Sequence, residues 1–269
     1  MNILVTGSSG FIASHLIPKL ESLGHDVIEM DMKGVGGDCS AYGDCLENII
    51  DTEIVIHLAS FIDVQESIQK PFVYFQNNLG GLVNMLNASL GNKVKRFIFA
   101  SSAAADNPQS PYGLTKLCGE QWCDLFTKCY GLSTVSLRFF NVYGKGTNKG
   151  VIPLWINKIK KGENPVINGD GEQTRDFVYI DDVVDAIICA MNCDATGVYE
   201  VGPGIDISIL ELCDTLLTEM KSDNSIEFRD ALRGELKESC AKDMRRTKKC
   251  LGWNPQYLLV RKGIKEMLK

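Results

Sequence analysis

The first two dozen residues constrain the fold more than any other stretch. Met1-Asn2-Ile3-Leu4-Val5-Thr6 is a short apolar run suited to a buried strand. It passes through Gly7-Ser8-Ser9-Gly10 directly into an amphipathic stretch that reaches Leu23. Strand, glycine turn and helix in that order open a parallel α/β sheet. Gly7 allows the tight turn, Gly10 lets backbone approach a diphosphate, and the small Ala13 lets the helix pack close to the strand. The helix start offers unpaired amides and the positive end of its dipole, so a dinucleotide diphosphate belongs there. A second strand, Asp26 to Met30, ends at Asp31. A carboxylate at that place accepts hydrogen bonds from an adenosine ribose and repels a 2'-phosphate, which favours NAD over NADP.

Further apolar runs place strands at Ile54 to His57, Arg96 to Ala100 and Thr134 to Arg138. Helices are expected at Phe11 to Leu23, Phe72 to Ser89 and Tyr112 to Tyr130. Strands alternating with helices describe an α/β fold built on a doubly wound parallel sheet. With 269 residues, 45% of them hydrophobic, the chain can bury a sizeable core. After Gly144 a polar connector, Lys145 to Gly150, leads into shorter and mixed segments. A smaller mixed α/β lobe is expected to begin there, and no internal repeat interrupts the pattern.

Pro111-Tyr112-Gly113-Leu114-Thr115-Lys116 puts a phenol and an ammonium four residues apart, on one face of a helix. A neighbouring cation favours the phenolate, so Lys116 is expected to lower the pKa of Tyr112 and make it a proton acceptor near neutral pH. The net charge of -6 argues against nucleic acid as a partner, because phosphate contacts need concentrated Lys and Arg. The one basic run, Met244 to Lys249, reads as a solvated helix face. Ten cysteines without a CxxC pair, and no leading signal peptide, read as reduced thiols of a cytoplasmic protein. His15, His25 and His57 have no partner at zinc-ligand spacing, so no metal is expected. No apolar run is long enough to cross a bilayer, and no membrane partner is expected.

Other motifs follow in order: Asp44 after a glycine, His57-Leu58-Ala59-Ser60, Asn78-Leu79-Gly80-Gly81 and Phe97-Ile98-Phe99-Ala100-Ser101-Ser102. Beyond them come Leu137 to Gly144, Gly169 to Phe177 and Leu251-Gly252-Trp253-Asn254-Pro255. With the glycine turn and the Tyr-Lys pair, the chain resembles the extended short-chain dehydrogenase/reductase family nearly end to end. The likeness is to its NAD-dependent nucleotide-sugar epimerase/dehydratase branch. The resemblance implies a Rossmann-type NAD domain over 1–146 and 176–203, interleaved with a substrate lobe over 147–175 and 204–269. It implies that Ser102, Tyr112 and Lys116 are catalytic, with Tyr112 as base, Ser102 holding the reacting oxygen and Lys116 also reaching the nicotinamide ribose. For the cofactor it implies Gly7, Ser9, Gly10, Phe11 and Ile12 at the diphosphate, and Asp31 at the ribose. Asp44, Cys45, Leu58, Ala59, Ser60, Asn78 and Phe139 would complete that wall with Tyr112 and Lys116. For a nucleotide-sugar substrate it implies Ser102, Asn141, Val151, Arg175 and Arg233, with Ala241 at the sugar-size gate. A small gate leaves room for an N-acetyl group. The two long helices flanking the Ser strand imply a homodimer through a four-helix bundle.

Two loops are shorter than the family's. One lies between the second and third strands, where it normally covers adenosine, so NAD is expected to exchange readily. The other is the stretch Ala103 to Ser110, with Asp106 where an aromatic and a glycine are common. Dehydratases and decarboxylases of this branch carry acids just after the Ser; Ala103 and Ala104 stand here, so elimination is disfavoured. A UDP-hexose or UDP-N-acetylhexosamine 4-epimerase, working through a transient 4-keto sugar, is the expected activity. A 4-ketoreductase or other sugar-nucleotide oxidoreductase is the alternative, and a non-catalytic dinucleotide sensor stands third.

Overall fold

A computed structural model describes residues 1–34, 36–231 and 236–269. Its strands are β1 (Asn2–Thr6), β2 (Asp26–Met30), β3 (Ile54–His57), β4 (Arg96–Ser102), β5 (Thr134–Phe139) and β6 (Asn141–Tyr143), then β7 (Val166–Asn168), β8 (Thr174–Tyr179), β9 (Gly197–Val201), β10 (Asp206–Ser208), β11 (Glu227–Arg229) and β12 (Glu238–Ser239). The helices are α1 (Phe11–Ser22), α2 (Tyr42–Asn48), α3 (Val64–Gln69), α4 (Pro71–Tyr74), α5 (Gly81–Gly91) and α6 (Pro111–Tyr130), then α7 (Val151–Lys160), α8 (Ile180–Met191), α9 (Ile209–Met220), α10 (Met244–Leu251) and α11 (Val260–Leu268).

Six parallel strands form the main sheet in the order β2-β1-β3-β4-β5-β9. Alternation of side chains sends neighbours to opposite faces. Ile3, Val5, Ile54, Ile56 and Ile98 join one core with α1 and α8, whereas Leu4, Val55, Phe97 and Phe99 join a second core with Leu82 and Met85 of α5. Both faces are covered, which is why β1 and β3 read as unbroken apolar runs. The expected Rossmann-type sheet is the observed one. It is completed after β8 by α8 and β9.

The expected single helix Phe72 to Ser89 is broken. A π-helical segment, Phe75–Gly80, separates α4 from α5. The cause lies outside the segment. Asn78, buried within it, accepts from the Phe61 amide at 2.8 Å and donates to the Phe61 carbonyl at 2.9 Å, and the widened turn carries this side chain inward. α6 is placed by its own ends: the Ser110 hydroxyl accepts from Gly113 N, Pro111 occupies the first turn and Gly131 closes the helix in the left-handed region. Of the apolar residues on the helices flanking β4, Tyr74, Leu82, Met85, Leu86 and Phe126 are core, while Phe72, Phe75, Trp122 and Leu125 are exposed.

The second lobe is organised around β8. β10 pairs with it antiparallel on one side, and β12 and β6 pair parallel with its first and second halves. β7 and β11 form a separate parallel pair. The expected change of lobe between 175 and 176 thus falls inside a single strand. Among the described residues no helix is long and apolar enough to cross a membrane.

Candidate active site

The strand order reverses between β1 and β3, and in open α/β sheets ligands collect at the carboxyl ends of the strands beside such a point. Gly7 follows β1 with φ +71, and a Cβ there would stand 2.8 Å from the backbone nitrogen of Ala59. The loops after β1 and β3 therefore touch, and only glycine fits between them. Gly7 N donates to Met30 O at 2.8 Å and Gly10 N to Gly7 O at 2.9 Å. Asp31 folds over the turn, its carboxylate accepting Ser9 N at 3.1 Å and Lys33 N at 2.9 Å. Gly10 begins α1 with no side-chain cap and no acid in the first turn. Phe11 and Ile12 are the first residues of that helix, and the buried Ser8 hydroxyl has no hydrogen-bond partner. Free amides, an orphaned hydroxyl and a carboxylate at the ribose distance in sequence fit a dinucleotide.

Leu58, Ala59 and Ser60 line the facing loop after β3. Ala59 N donates to Thr6 Oγ1 at 3.2 Å, and Ser60 Oγ donates to Phe61 O at 3.0 Å. Asn78 braces this loop and also donates to Thr115 Oγ1 of α6 at 3.3 Å. Asp44 and Cys45 lie on α2. Asp44 accepts from Asp38 N at 2.8 Å. The Cys45 thiol is fully buried in the core and donates to Cys39 O, so its side chain faces away from any ligand.

Ser102 ends β4. Its hydroxyl accepts from Ala104 N at 3.2 Å, capping a short 3-10 turn of Ala103–Ala105, and it favours ionisation of the Tyr112 phenol. Tyr112 and Lys116, one turn apart on α6, are both buried. Lys116 donates from Nζ to Ala100 O at 2.8 Å and stands 5.0 Å from the centre of the Phe99 ring and 5.9 Å from that of Tyr112. The three residues come together, but the electrostatics differ from the sequence expectation. Burial raises the Tyr112 pKa, and the group that opposes the rise is Ser102. Burial also pulls Lys116 down to about 7, so the cation has little charge to lend at the alkaline pH where a raised phenol ionises. Nearby His57 bonds Thr6 Oγ1 through Nδ1 at 2.9 Å, and burial followed by the charge of Lys116 holds it down to about 3.

Behind the pair lies a group that sequence reasoning missed. Glu120 and Arg138 form a two-pronged ion pair, Nε to Oε1 and Nη2 to Oε2, each at 2.8 Å. The signal was the continuation of Tyr112 and Lys116 to a third polar residue four positions on.

On the substrate side, Phe139 ends β5 and Phe140 follows it, both buried, and Asn141 opens β6. Val151 is the first residue of α7, after Gly150. Arg175 lies in β8, paired in register with Ile207 and Ser239, and its Nη1 donates to Thr174 O at 2.8 Å. β6 aligns Asn141 with Phe177, two residues along β8 from Arg175. Ala241 is buried just past β12, its amide donating to Asp176 Oδ2 at 3.2 Å. Asn141, Arg175 and Ala241 are thus gathered around one strand. Arg233 lies outside the described residues. Asp176 was also missed; its Oδ2 accepts from Gly204 N as well, at 2.9 Å, and burial first of all lifts its pKa to about 6. Among the described residues no cluster of His, Cys, Asp and Glu is placed to hold a metal ion.

The sequence profile of the NAD dependent epimerase/dehydratase family matches residues 3–202. The chain belongs to this family. A curated relative, a putative UDP-glucose 4-epimerase of Methanocaldococcus jannaschii, is 33% identical over 299 residues, covering 99% of this chain and 97% of that protein. The solved UDP-glucose 4-epimerase of Thermotoga maritima, with UDP-glucose, aligns with a TM-score of 0.93 at 29% identity and covers 100% of this chain and 97% of that one. A UDP-N-acetylglucosamine 4-epimerase of Methanobrevibacter ruminantium, in complex with UDP-N-acetylmuramic acid, aligns at 0.90 with 29% identity, covering 99% and 96%. NAD is the cofactor of the epimerase/dehydratase family, and the cradle after β1 is built for it.

Proposed function

We propose that this enzyme is an NAD-dependent nucleotide-sugar 4-epimerase that accepts UDP-hexoses and UDP-N-acetylhexosamines. The observation that carries the reading is the meeting of Ser102, at the carboxyl end of β4, with the buried Tyr112 and Lys116 of α6, beside the dinucleotide cradle. NAD, when bound, supplies a reversible two-electron acceptor for the carbon bearing the 4-hydroxyl. The rest is the work of the chain. Tyr112 takes the proton of the 4-hydroxyl and later returns it, and Ser102 hydrogen-bonds the same oxygen. Lys116, when charged, favours the phenolate and orients the cofactor ribose. Arg175, with Asn141 on the strand paired to its own, holds the nucleotide diphosphate while the sugar turns over, and Val151 is assigned to the same substrate; a charge-assisted pair suits that task. Arg233 has the same role in this reading. Alanines follow Ser102, leaving no second acid for elimination. Ala241 leaves space at the sugar's 2-position for an N-acetyl group.

The active species in this reading is a homodimer joined through the helices flanking β4. Phe72 (66% exposed), Phe75 (53%) and Leu125 (43%) form apolar surface that the monomer leaves uncovered. Proton NMR of the protein with NAD and each of UDP-glucose, UDP-galactose, UDP-N-acetylglucosamine and UDP-N-acetylgalactosamine tests the activity. Interconversion of a C4 pair without net NADH is expected. Unchanged sugars, together with stoichiometric oxidation of NADH by a keto-sugar, would make the enzyme a reductase instead.

A further inference from the structure

Tyr112, Lys116 and Glu120 stand four apart on α6 and share one face. Glu120 is buried, and both of its oxygens are occupied. Ser101 Oγ donates to Oε1 at 2.5 Å, and Arg138 takes both oxygens at 2.8 Å. Arg138 is held from its far side by Asp106 at 2.9 Å, and Lys242 stands 3.9 Å beyond that acid. A residue from α6, one from β4 and one from β5 are thereby tied together directly behind Lys116.

Lys116 has an electrostatic difficulty that this arrangement answers. It favours the phenolate of Tyr112 only while it is itself charged, and burial works against that charge, leaving its pKa at about 7. On α6 it faces Tyr112, Glu120 and Cys123; on β4 it faces the Ala100 carbonyl and the Phe99 ring; from β3 it faces His57. His57 is neutral, with a pKa of about 3, and the buried Cys123 thiol is neutral, raised to about 12. Glu120, tied to the Arg138 guanidinium through both oxygens, is therefore the acid among these groups, and its effect on Lys116 is upward.

We propose that Glu120 is a positioning residue of the epimerase, a carboxylate pinned by Ser101 and Arg138 that keeps Lys116 in the protonated form Tyr112 needs. The proposal rests on the role given to Lys116 above. Arg138 fixes Glu120 through both oxygens and, as a cation on the far side of that acid, would offset part of its field, so removing either charge is expected to move Lys116 in opposite directions. Neutralising the acid lets the lysine lose its proton at lower pH; removing the guanidinium charge keeps the proton on to higher pH.

The direct test is a ¹³C NMR pH titration of the lysine side chains in the intact protein, with the Lys116 signal identified by its absence in Lys116→Met. The midpoint is expected to move down in Glu120→Gln, up in Arg138→Gln, and to stay near wild type in Glu120→Asp, which retains the charge. Epimerisation rates with saturating NAD should follow. At pH 8 Glu120→Gln should lose about tenfold in kcat, the equivalent of one pKa unit, and recover towards wild type near pH 6. An unmoved Lys116 midpoint in Glu120→Gln, or shifts of the same sign in Glu120→Gln and Arg138→Gln, overturns the proposal. If Glu120→Gln gives no cooperative melt, the Arg138→Gln titration decides alone, and an unmoved midpoint there overturns it. The role of Lys116 fails separately: Lys116→Met with undiminished turnover removes it, whatever Glu120 does to the titration.

Discussion

Gly7→Ala measures how closely the loops after β1 and β3 meet, and Gly24→Ala supplies its control. Both glycines have positive φ, +71 and +78. A Cβ at Gly7 would lie 2.8 Å from Ala59 N and 2.9 Å from Ala59 Cα, whereas nothing lies within 4 Å of a Cβ at Gly24. Alanine in the left-handed region costs about 1–2 kcal/mol, and the narrower unfolded ensemble returns roughly 0.4–1 kcal/mol. Gly24→Ala should therefore destabilise by about 1 kcal/mol. Gly7→Ala bears the same cost plus an overlap with main chain that cannot rotate away, about 1–3 kcal/mol more, for a total of about 2–4 kcal/mol. In a chain of this size each kcal/mol is worth about 2–4 °C in Tm, so melts should fall by about 2–4 °C for Gly24→Ala and roughly 5–15 °C for Gly7→Ala. NAD titration by fluorescence adds the functional arm. Forcing the two loops apart should weaken NAD binding in Gly7→Ala and leave it unchanged in Gly24→Ala. Equal melting losses in the two variants would refute the argument that contact with Ala59, and not φ alone, reserves position 7 for glycine.

Asp176 carries a pH signature. Its folded pKa, about 6, lies above the ordinary 3.8 because of burial, so between those values the folded state binds more protons than the unfolded one and stability falls as pH rises. Unfolding free energies of wild type relative to Asp176→Asn should decline by at most about 3 kcal/mol between pH 4 and pH 6; a flat difference would place the ionisation elsewhere. Ala241→Tyr should lower turnover of UDP-N-acetylglucosamine at least tenfold while UDP-glucose is still converted, and parallel losses on both sugars would remove Ala241 from the gate. The short connection from β2 to β3 should let NAD leave on dialysis, with activity restored by added NAD; cofactor still present at one per chain after extensive dialysis would contradict this.

What could be read from the amino acids divides by the range of the forces involved. β1, the glycine turn and α1 were legible because they are set by neighbours: an apolar run, a positive φ and an open helix start. The inner strands β1, β3 and β4 fell within a residue or two of expectation, since strands buried on both faces advertise themselves as apolar runs. The π-helical turn at Phe75–Gly80 carries no such signal, because it answers to hydrogen bonds between Asn78 and Phe61. The second lobe was blurred because its strands are only two or three residues long apart from β8, too short to show a period of two, and β8 takes its partners from three separate parts of the chain. At the site, spacing alone put Tyr112 beside Lys116, and the structure keeps them together. Spacing could not reveal that both would be buried, and burial reverses the electrostatic inference: desolvation penalises the charged form of each, raising the phenol and lowering the amine. A buried acid-base pair of this kind needs a third charge to hold the proton on the amine. The third charge was legible after all, one further step of four along the same helix at Glu120. Its partner on β5, Arg138, required the sheet to be assembled first.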